Sequence, residues 1–496
     1  MLLVAVALPR RHQGRMVDDA SGQVLTTDVL TGLPSKEGLF FTQRVDHFDR
    51  LSTATFEQRY FVNETFWAGA DSGAPVFMCV GGEGPPLDAG VVQIGGSVHC
   101  DDMMVLAQEL GALTVALEHR FYGPSTPDGG WSTDNLRFSN SEQALEDVAS
   151  FIGLMQDTYQ LHPSSGPASG SKILNKWVTW GGSYPGMMAA MSRLRFPHLV
   201  HASVSSSSPL EASLEMPGYN QVVGESISNP DVGGSQQCFD TVRNGHAVIK
   251  AQLASEEGRR ALESTFNICD PLSLEKEENR EQFAGDGVVM LPAQGNDPAC
   301  TGSLCNIEGV CGFLASLPEH KSDIDKLATL SARQKFGQCV PVSYEAELQM
   351  YAKENNPMRA WLWQTCTEYG FYMTCPDDDA WGCPYARGLH RVDTDLEICS
   401  VAFGLTPQQV TSWVGATNGL YGGANIQATR IMYPNGEIDP WRALGVVEAP
   451  NADAPTLMVK TSSHHYWTHP ALDTDNAYIK DARVAIWDQV TAWLQE

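Results

Sequence analysis

Basic residues are scarce in this sequence of 496 residues, which has 32 lysines and arginines against 59 aspartates and glutamates. The formal charge of −27 predicts repulsion from phosphate backbones and anionic lipids, so neither a nucleic acid nor a membrane is an expected partner. Long hydrophobic runs are also missing, since no apolar stretch approaches the roughly 20 residues that span a bilayer. Hydrophobic residues still make up 43% of the chain, which excludes global disorder.

The cysteines do not form the patterns of a zinc site. None of the 12 cysteines lies in a Cys-x-x-Cys pair, and no histidines flank them at the spacing of a zinc finger. Ten of the 12 lie between Cys238 and Cys399. This even, clustered set predicts a disulfide-bonded insertion formed in an oxidising compartment, with free buried thiols as the alternative. The triplet Asn63-Glu64-Thr65 matches the N-glycosylation sequon.

The first part of the chain has little pattern. Residues 1–38 show no strong periodicity, and we expect a weakly ordered leader there. The apolar run at residues 2–8 is short and has no basic residue before it, so it is a poor match to a signal peptide. The cysteines, rather than this end, predict the secretory pathway.

Short apolar runs then alternate with helical patterns. Runs typical of buried strands occupy residues 75–80, 113–118, 176–180, 199–204, 428–433 and 456–460. Helical spacing occurs at residues 139–159, 187–195 and 481–495, with Ser141 as the expected cap of the first helix. This alternation predicts an α/β domain with a mostly parallel sheet. It stops at about 210 and resumes after about 400, with helical stretches such as 245–262 between. We therefore expect a domain formed by 39–209 and 401–496, with an insertion at 210–400.

One glycine-rich turn has the pattern of a catalytic nucleophile. The strand ending at Trp180 leads into Gly181-Gly182-Ser183-Tyr184-Pro185-Gly186, and a helix follows. A serine at such a strand–turn–helix corner is strained, and small neighbours are needed because the turn packs tightly. Pro185 occupies the position of the pattern's second glycine, and proline is tolerated in the first turn of a helix. Ser183 is therefore the candidate nucleophile, with an ordinary glycine turn as the alternative.

Two later loops supply a candidate acid and a candidate base. In this kind of fold the acid and the histidine follow the serine in that order, each after a later strand. Asp439 follows the run at 428–433, with Glu437 as the competing acid. His464 and His465 follow the run at 456–460, and only one of two neighbours in an extended segment can face the serine. The histidine would accept the serine proton, and the acid would orient the imidazole.

Two backbone N–H groups are needed to hold the oxyanion of an acyl-transfer intermediate. One is expected from Tyr184, directly after the nucleophile, and the other from the glycine loop at 81–84. This loop lacks the Lys-Ser/Thr ending of a phosphate-binding loop, and Glu83 disfavours an anion there. His47 and His119 are interpreted as hydrogen-bonded structural histidines.

These motifs together resemble a family of serine carboxypeptidases that includes lysosomal Pro-Xaa carboxypeptidase, dipeptidyl peptidase II and thymus-specific serine protease. The stretches that share the family's pattern are 43–48, 58–63, 81–84, 118–123, 136–138, 182–184, 363–368, 435–441 and 463–465. The resemblance covers the chain from about residue 40 onward. The stretches 81–84 and 369–372 look closest to the thymus-specific branch.

The resemblance implies an α/β-hydrolase fold with an inserted helical, disulfide-bonded cap. It implies Ser183, Asp439 and His464 as the catalytic triad, because the family's base is the first histidine of the pair. The N–H groups of Tyr184 and Gly82 are then expected to hold the oxyanion.

The resemblance also implies a substrate pocket. Met187 and Trp441 match positions of the family's proline-accepting pocket, Phe371 falls near a third position, and we add Glu83 as a further substrate-binding residue. Apolar and aromatic walls suit a pyrrolidine ring, which offers no N–H to bond. Relatives with exopeptidase activity have Leu-Asp-Leu-Arg after the histidine pair, whereas this chain has Tyr-Trp-Thr-His at 466–469. The terminal group that the site recognises therefore stays open.

The sequence as a whole predicts a serine peptidase. The leading hypothesis is an exopeptidase that cleaves after proline, of the Pro-Xaa carboxypeptidase or the dipeptidyl peptidase type, with no metal or other cofactor. An esterase or lipase with the same triad and a non-catalytic peptide-binding relative are the alternatives. The expected partner is a peptide substrate, and family relatives suggest a homodimer. The expected location is the lysosome, the vacuole or the extracellular space.

Overall fold

An eight-stranded sheet is the framework of the protein. The computed structural model describes residues 37–162, 174–297, 300, 302–378 and 382–496, so the predicted leader lies outside the described residues except for its last two. The strands are β1 (Leu39–Arg44), β2 (Thr55–Asn63), β3 (Val76–Val80), β4 (Leu113–Leu117), β5 (Trp177–Gly182), β6 (Val200–Ser206), β7 (Ser213–Glu215), β8 (Gly370–Tyr372), β9 (Ile431–Gly436) and β10 (Thr456–Val459). β7 and β8 form a separate pair.

The strand order identifies the fold. Neighbouring strands follow the order β1-β2-β4-β3-β5-β6-β9-β10. β2 is antiparallel to both β1 and β4, whereas all later neighbours are parallel. β3, β4 and β5 bury every residue, as expected for strands covered on both faces. A mostly parallel sheet with this crossover order, and a serine corner after β5, is the α/β-hydrolase fold, which confirms the predicted fold class.

Helices cover both faces of the sheet. The helices are α1 (Asp101–Leu110), α2 (Thr133–Leu136), α3 (Ser141–Tyr159), α4 (Tyr184–Arg195), α5 (Pro217–Ser228), α6 (Gln236–Leu253), α7 (Glu256–Thr265), α8 (Glu277–Ala284), α9 (Ile307–Ser316), α10 (Asp323–Gln334), α11 (Tyr344–Ala352), α12 (Arg359–Gln364), α13 (Val392–Phe403), α14 (Pro407–Tyr421) and α15 (Ala477–Gln495). Val76 and Met78 of β3 pack in the apolar cluster of α3 and α4, whereas Phe77 between them packs with α1 and α15. Since neighbouring strand residues point to opposite faces, these two helix pairs cover opposite faces of the sheet.

The observed elements differ from the predicted ones mainly at their ends. All six predicted strands are present, and the strand before the serine continues to Gly182. The first predicted helix is capped by Asn140 and not by Ser141, because the Asn140 side chain accepts a hydrogen bond from the Gln143 N–H. The helical stretch predicted at 245–262 is two helices, since Ser255 caps a new one. β1 and β2 were not predicted.

The segment between β6 and β9 forms a helical cap with its own apolar core. This cluster consists of residues between Val223 and Ala386, and it is joined by Ile438 of the sheet domain. All 12 cysteines are paired, which confirms the predicted disulfides: Cys79–Cys100, Cys238–Cys311, Cys269–Cys339, Cys300–Cys305, Cys366–Cys399 and Cys375–Cys383. Within the described residues, no helix is both long enough and apolar enough to cross a bilayer.

Candidate active site

Ser183 lies at a sharp corner between β5 and α4. Its backbone has φ 63° and ψ −133°, a conformation that non-glycine residues rarely adopt. Strain of this kind costs about 1–3 kcal/mol and persists only where the surroundings fix it. The Ser183 N–H donates to the Ser206 carbonyl at 2.9 Å, and its carbonyl accepts the first helical hydrogen bond from Met187. The corner therefore holds the serine side chain at the carboxyl edge of the sheet.

Glycines make this corner sterically feasible. A Cβ on Gly181 would lie 2.2 Å from the Pro185 carbonyl oxygen, and one on Gly186 would lie 2.1 Å from the Ser208 hydroxyl oxygen. Real Cβ atoms do not approach other atoms so closely, so a side chain at either position would displace the turn. Pro185 itself lies in the first turn of α4, where its missing N–H loses no helical bond.

The glycine loop after β3 packs against the start of α4. A Cβ on Gly82 would lie 2.2 Å from Cγ of Pro185, so the loop backbone is in close contact with the residue two after Ser183. Tyr184 is the first residue of α4, where backbone N–H groups have no partner within the helix. The two predicted oxyanion donors, Gly82 and Tyr184, are thus brought to the same corner.

Asp439 and His464 form a buried pair. Asp439 follows β9 and is 0% exposed, and His464 follows β10 and is 6% exposed. The two side chains are joined between Nδ1 of His464 and Oδ2 of Asp439 at 2.8 Å. The other carboxylate oxygen of Asp439 accepts a hydrogen bond from the Trp441 N–H at 3.0 Å, which fixes the carboxylate at the start of a short 3₁₀ helix.

The second ring nitrogen of His464, Nε2, takes no part in the bond with Asp439. Nε2 is buried and makes no hydrogen bond with any of the described residues. Gly182 and His465 are in close contact, since a Cβ on Gly182 would lie 2.9 Å from the His465 ring. Gly182 precedes Ser183 in the chain, and His465 follows His464. The serine and the unbonded imidazole nitrogen therefore lie at the same edge of the sheet. Hydrogen bonds of catalytic groups are often formed only when substrate is bound.

The competing residues have other partners. Glu437 accepts a hydrogen bond from the Thr461 N–H at 2.9 Å, which is a turn contact. His465 bonds to the Thr468 hydroxyl, and burial together with the nearby His464 holds its pKa well below its usual range. The structural interpretation of the two other histidines agrees with their contacts. Nε2 of His119 bonds to the Tyr184 hydroxyl at 2.8 Å, and Nε2 of His47 bonds to the carboxylate of Asp147 at 2.8 Å.

Aromatic rings surround the histidine side of the site. The ring of Trp441 lies 6.3 Å from that of His464 and 5.3 Å from that of Phe371. Its indole N–H is buried and has no hydrogen-bond partner among residues 37–162, 174–297, 300, 302–378 and 382–496. Tyr219, from helix α5 of the cap, lies 5.3 Å from Trp441 on an edge-on contact. Met187 is fully buried in α4 and belongs to the same apolar cluster as Trp441 and Phe371. Trp441 and Phe371 are therefore in direct ring contact, and Met187 lies elsewhere in the same large core cluster.

Glu83 has an unsatisfied carboxylate oxygen beside this site. The residue as a whole is only half-buried, but its Oε2 atom is shut off from solvent and has no hydrogen-bond partner in the part of the chain that the structure describes. Burial raises the pKa of the Glu83 carboxyl to about 7, against the lowering effects of its own backbone N–H and of His464. A buried carboxylate oxygen without a partner is rare in folded proteins and calls for an explanation, such as a water molecule or a ligand that binds there.

The site therefore combines a buried histidine–carboxylate pair, a strained serine and two candidate backbone donors. A family model described as serine carboxypeptidase S28 matches residues 43–486. The chain belongs to this family. Membership makes it a serine-type peptidase, a hydrolase that acts on peptides, as the sequence predicts.

Individual S28 relatives align over most of the chain. Human thymus-specific serine protease is 34% identical over 473 residues, which is 91% of this chain and 86% of that protein. Lysosomal Pro-X carboxypeptidase of Mus musculus is 27% identical over 450 residues, which is 86% of this chain and 83% of that protein. Among solved structures, proline iminopeptidase of Mycobacterium smegmatis has a TM-score of 0.34 at 12% identity, covering 92% of this chain and 99% of that one.

Several supporting residues of this S28 site were not identified from the sequence. Gln364 donates to the Tyr184 hydroxyl at 2.8 Å and accepts from the Tyr122 hydroxyl at 2.7 Å, so it fixes the residue after the nucleophile. Its place in the family stretch 363–368 was a signal that could have identified it. The backbone carbonyl of Gln294 in the cap accepts a hydrogen bond from the His464 N–H at 3.2 Å. Its side-chain oxygen accepts one from the Tyr219 hydroxyl. No motif surrounds Gln294, so the sequence held no signal for it.

Proposed function

We propose that this S28 peptidase is an exopeptidase that cleaves after proline with Ser183, Asp439 and His464 as its catalytic triad. The observation that carries the triad is the buried bond between Asp439 and Nδ1 of His464, with Nε2 left unbonded by every residue that the structure describes. A carboxylate on Nδ1 fixes the neutral tautomer in which Nε2 can accept a proton. Ser183 is the strained serine at the same edge of the sheet.

The first half-reaction forms an acyl-enzyme. Oγ of Ser183 attacks the scissile carbonyl carbon while its proton passes to Nε2 of His464. The carbonyl oxygen becomes an oxyanion, which the N–H groups of Tyr184 and Gly82 stabilise. His464 then gives its proton to the leaving amine as the C–N bond breaks. Asp439 stays ionised and stabilises the imidazolium that forms between these steps.

The second half-reaction regenerates the enzyme. A water molecule attacks the ester carbon, its proton passes to Nε2 of His464, and the same two N–H groups hold the second oxyanion. The ester bond breaks and His464 returns the proton to Oγ of Ser183. The net change is addition of one water across the peptide bond, with no group left over.

A preference for proline is supported by the aromatic region beside His464. Trp441 and Phe371 are aromatic rings in contact beside His464, and Met187 belongs to the same core cluster. Apolar and aromatic side chains of this kind suit a pyrrolidine ring. The relative named lysosomal Pro-X carboxypeptidase supports the same preference. Six disulfides support passage through the secretory pathway, with the lysosome, vacuole or extracellular space as the proposed destination.

Peptides with an internal proline test this proposal directly. Each peptide is incubated with the wild-type protein and with the Ser183→Ala variant at about pH 5–6. Mass spectrometry of the products should show loss of one residue after proline, or release of an N-terminal dipeptide that ends in proline, with the wild type only. Equal cleavage by both proteins would contradict the role of Ser183. Cleavage that ignores proline would contradict the pocket.

A further inference from the structure

Among the described residues, Glu83 carries a buried carboxylate oxygen, Oε2, that has no hydrogen-bond partner and that the proposed triad does not use. We propose that Glu83 binds the free α-ammonium group of the substrate, so that the site recognises the amino end of a peptide. This proposal rests on the proposed function, because it assigns a substrate end to the same site. It predicts release of short fragments from the amino terminus and not removal of the last residue.

Glu83 lies in the glycine loop that packs against the start of α4. Its loop packs on Pro185 through Gly82, and His464 acts on its charge from the loop after β10. Tyr122 and Tyr184 are the other titratable groups that its charge influences. Oε2 has no donor from any of these elements. A substrate ammonium group would supply the missing donor with a charge-assisted hydrogen bond.

The local field also favours a cation. Burial, Glu368 and Glu83 all raise the pKa of Tyr184, and burial, Asp439 and Asp286 raise that of Tyr219 on the cap side. Carboxyl groups therefore lie near both tyrosines. When these carboxyl groups are ionised, an ammonium group beside them is stabilised, whereas a substrate carboxylate is destabilised.

No buried guanidinium is arranged for a substrate carboxylate within the described residues. The five buried arginines all donate to carboxylates or backbone carbonyls of this chain: Arg59, Arg120, Arg193, Arg359 and Arg483. The residues after the histidine pair are likewise engaged in the fold, since Trp467 donates to the Ser206 hydroxyl and Thr468 to the Val98 carbonyl. His469 in the same segment lies 3.5 Å from the carboxylate of Asp297.

Binding of an ammonium group would change the ionisation of Glu83. The carboxyl group has a pKa of about 7 in the empty site, and a nearby cation favours its charged form. A free amino terminus titrates at about 8 and stays protonated at lower pH. Binding of a peptide with a free amino terminus should therefore strengthen as the pH rises from about 5 to about 7.

The experiment compares one internal-proline peptide in three forms: free at both ends, acetylated at the amino end and amidated at the carboxyl end. kcat/KM is measured for the wild type, for Glu83→Gln and for Glu215→Gln, an exposed carboxylate on β7 that serves as the control. We expect acetylation to lower wild-type kcat/KM by about 10- to 100-fold, the size expected for a hydrogen bond to a charged group. Glu83→Gln should bring the ratio of free to acetylated peptide close to one, and Glu215→Gln should leave it unchanged.

Three outcomes would overturn the inference alone. The first is an acetylation effect that persists in Glu83→Gln. The second is a loss of activity when the carboxyl end is amidated and not when the amino end is acetylated. The third is a wild-type KM for the free peptide that rises between about pH 5 and about pH 7. A loss of activity on amidation would mean that a protonated Glu83 binds the substrate carboxylate. Labelling by a fluorophosphonate separates this failure from failure of the proposed function. If Ser183 is labelled and peptides are cleaved, only the role of Glu83 is wrong.

Discussion

At the residue scale, the site depends on a few positions where side-chain identity and backbone shape are fixed together. Ser183 has positive φ, and so does His465, directly after the proposed base. Asp439 both caps a 3₁₀ helix and bonds His464, so its two oxygens have separate tasks. Substitutions at such positions should change catalysis more than folding.

The Asp439→Asn variant tests the proposed acid. Asparagine retains the shape, but its amide can favour the wrong tautomer of His464, so kcat should fall by roughly 10³- to 10⁴-fold. Steady-state kinetics on an internal-proline peptide measures this loss. Glu437→Gln is the matched control in the same loop and should keep nearly wild-type activity. A larger loss in Glu437→Gln than in Asp439→Asn would assign the acid to Glu437.

The Gly82→Ala variant tests the glycine loop. Its Cβ would lie 2.2 Å from Cγ of Pro185, so the loop must shift and its N–H must move from the oxyanion. We expect kcat to fall by about 10- to 10³-fold with KM much less affected. Gly153→Ala in α3 is the control, because nothing lies within 4 Å of its Cβ. It should keep activity and gain about 0.5–1 kcal/mol of stability. A Gly82→Ala protein that loses stability but keeps kcat would contradict the oxyanion role.

Some of these residues could be predicted from the sequence and others could not. The glycine corner around Ser183 was identifiable because strand, turn and helix lie next to one another in the chain. The choice between Glu437 and Asp439 was open from spacing alone, since both lie in one turn after the same strand. Gln294 reaches His464 from a distant segment of the cap, and such long-range packing leaves no local pattern.

At the element scale, burial explains which strands were predictable. β3, β4 and β5 are buried on both faces and are therefore continuous apolar runs. β1 and β2 lie at the antiparallel edge of the sheet and mix buried with exposed residues, so their polar positions interrupt the pattern. The helices of the cap were predictable as a helical segment, but their ends depend on capping side chains such as Ser255. We propose 210–400 as the bounds of the insertion.

Each disulfide should stabilise the cap by an amount that increases with the number of residues in the loop that it closes. Cys238–Cys311 has a sequence separation of 73 and Cys375–Cys383 one of 8. By loop-closure entropy, removing the first should cost about 4 kcal/mol and removing the second about 2.5 kcal/mol. Denaturant unfolding of the two double-alanine variants measures the difference. A smaller loss for Cys238→Ala/Cys311→Ala than for Cys375→Ala/Cys383→Ala would contradict this ranking.

At the scale of the whole molecule, buried ionisable groups set the pH range of stability. Burial raises the pKa of the carboxyl groups of Glu83, Asp102 and Glu368 to about 7 each, so the folded state holds protons that the unfolded state releases. Their effect is a loss of stability as the pH rises from about 4 to about 7. Burial lowers the pKa of His99 and His119 to about 4, which opposes that loss below about pH 6.5.

His390 should dominate above that range. Burial lowers its pKa, but Asp286 and Asp395, at 2.6 Å and 2.8 Å, outweigh burial and raise the pKa to about 10. The folded pKa exceeds the unfolded value of about 6.5, so its contribution is complete below that pH and is lost as the pH rises through about 10. His390→Gln should be less stable than the wild type at pH 6 and should show a shallower decline toward pH 10. Denaturant unfolding across this range measures both slopes, and parallel curves would contradict the role of His390.

The measurement that tests the central claim most directly is covalent labelling by a fluorophosphonate, with the labelled residue identified by peptide mass mapping. Because His464 activates Ser183, the label should be found on Ser183. An excess of an internal-proline peptide should slow the labelling, and the Ser183→Ala variant should remain unlabelled. Asp439→Asn should be labelled far more slowly, because its imidazole is misoriented. A label on any other residue, or equal labelling of Ser183→Ala, would contradict the proposed active site.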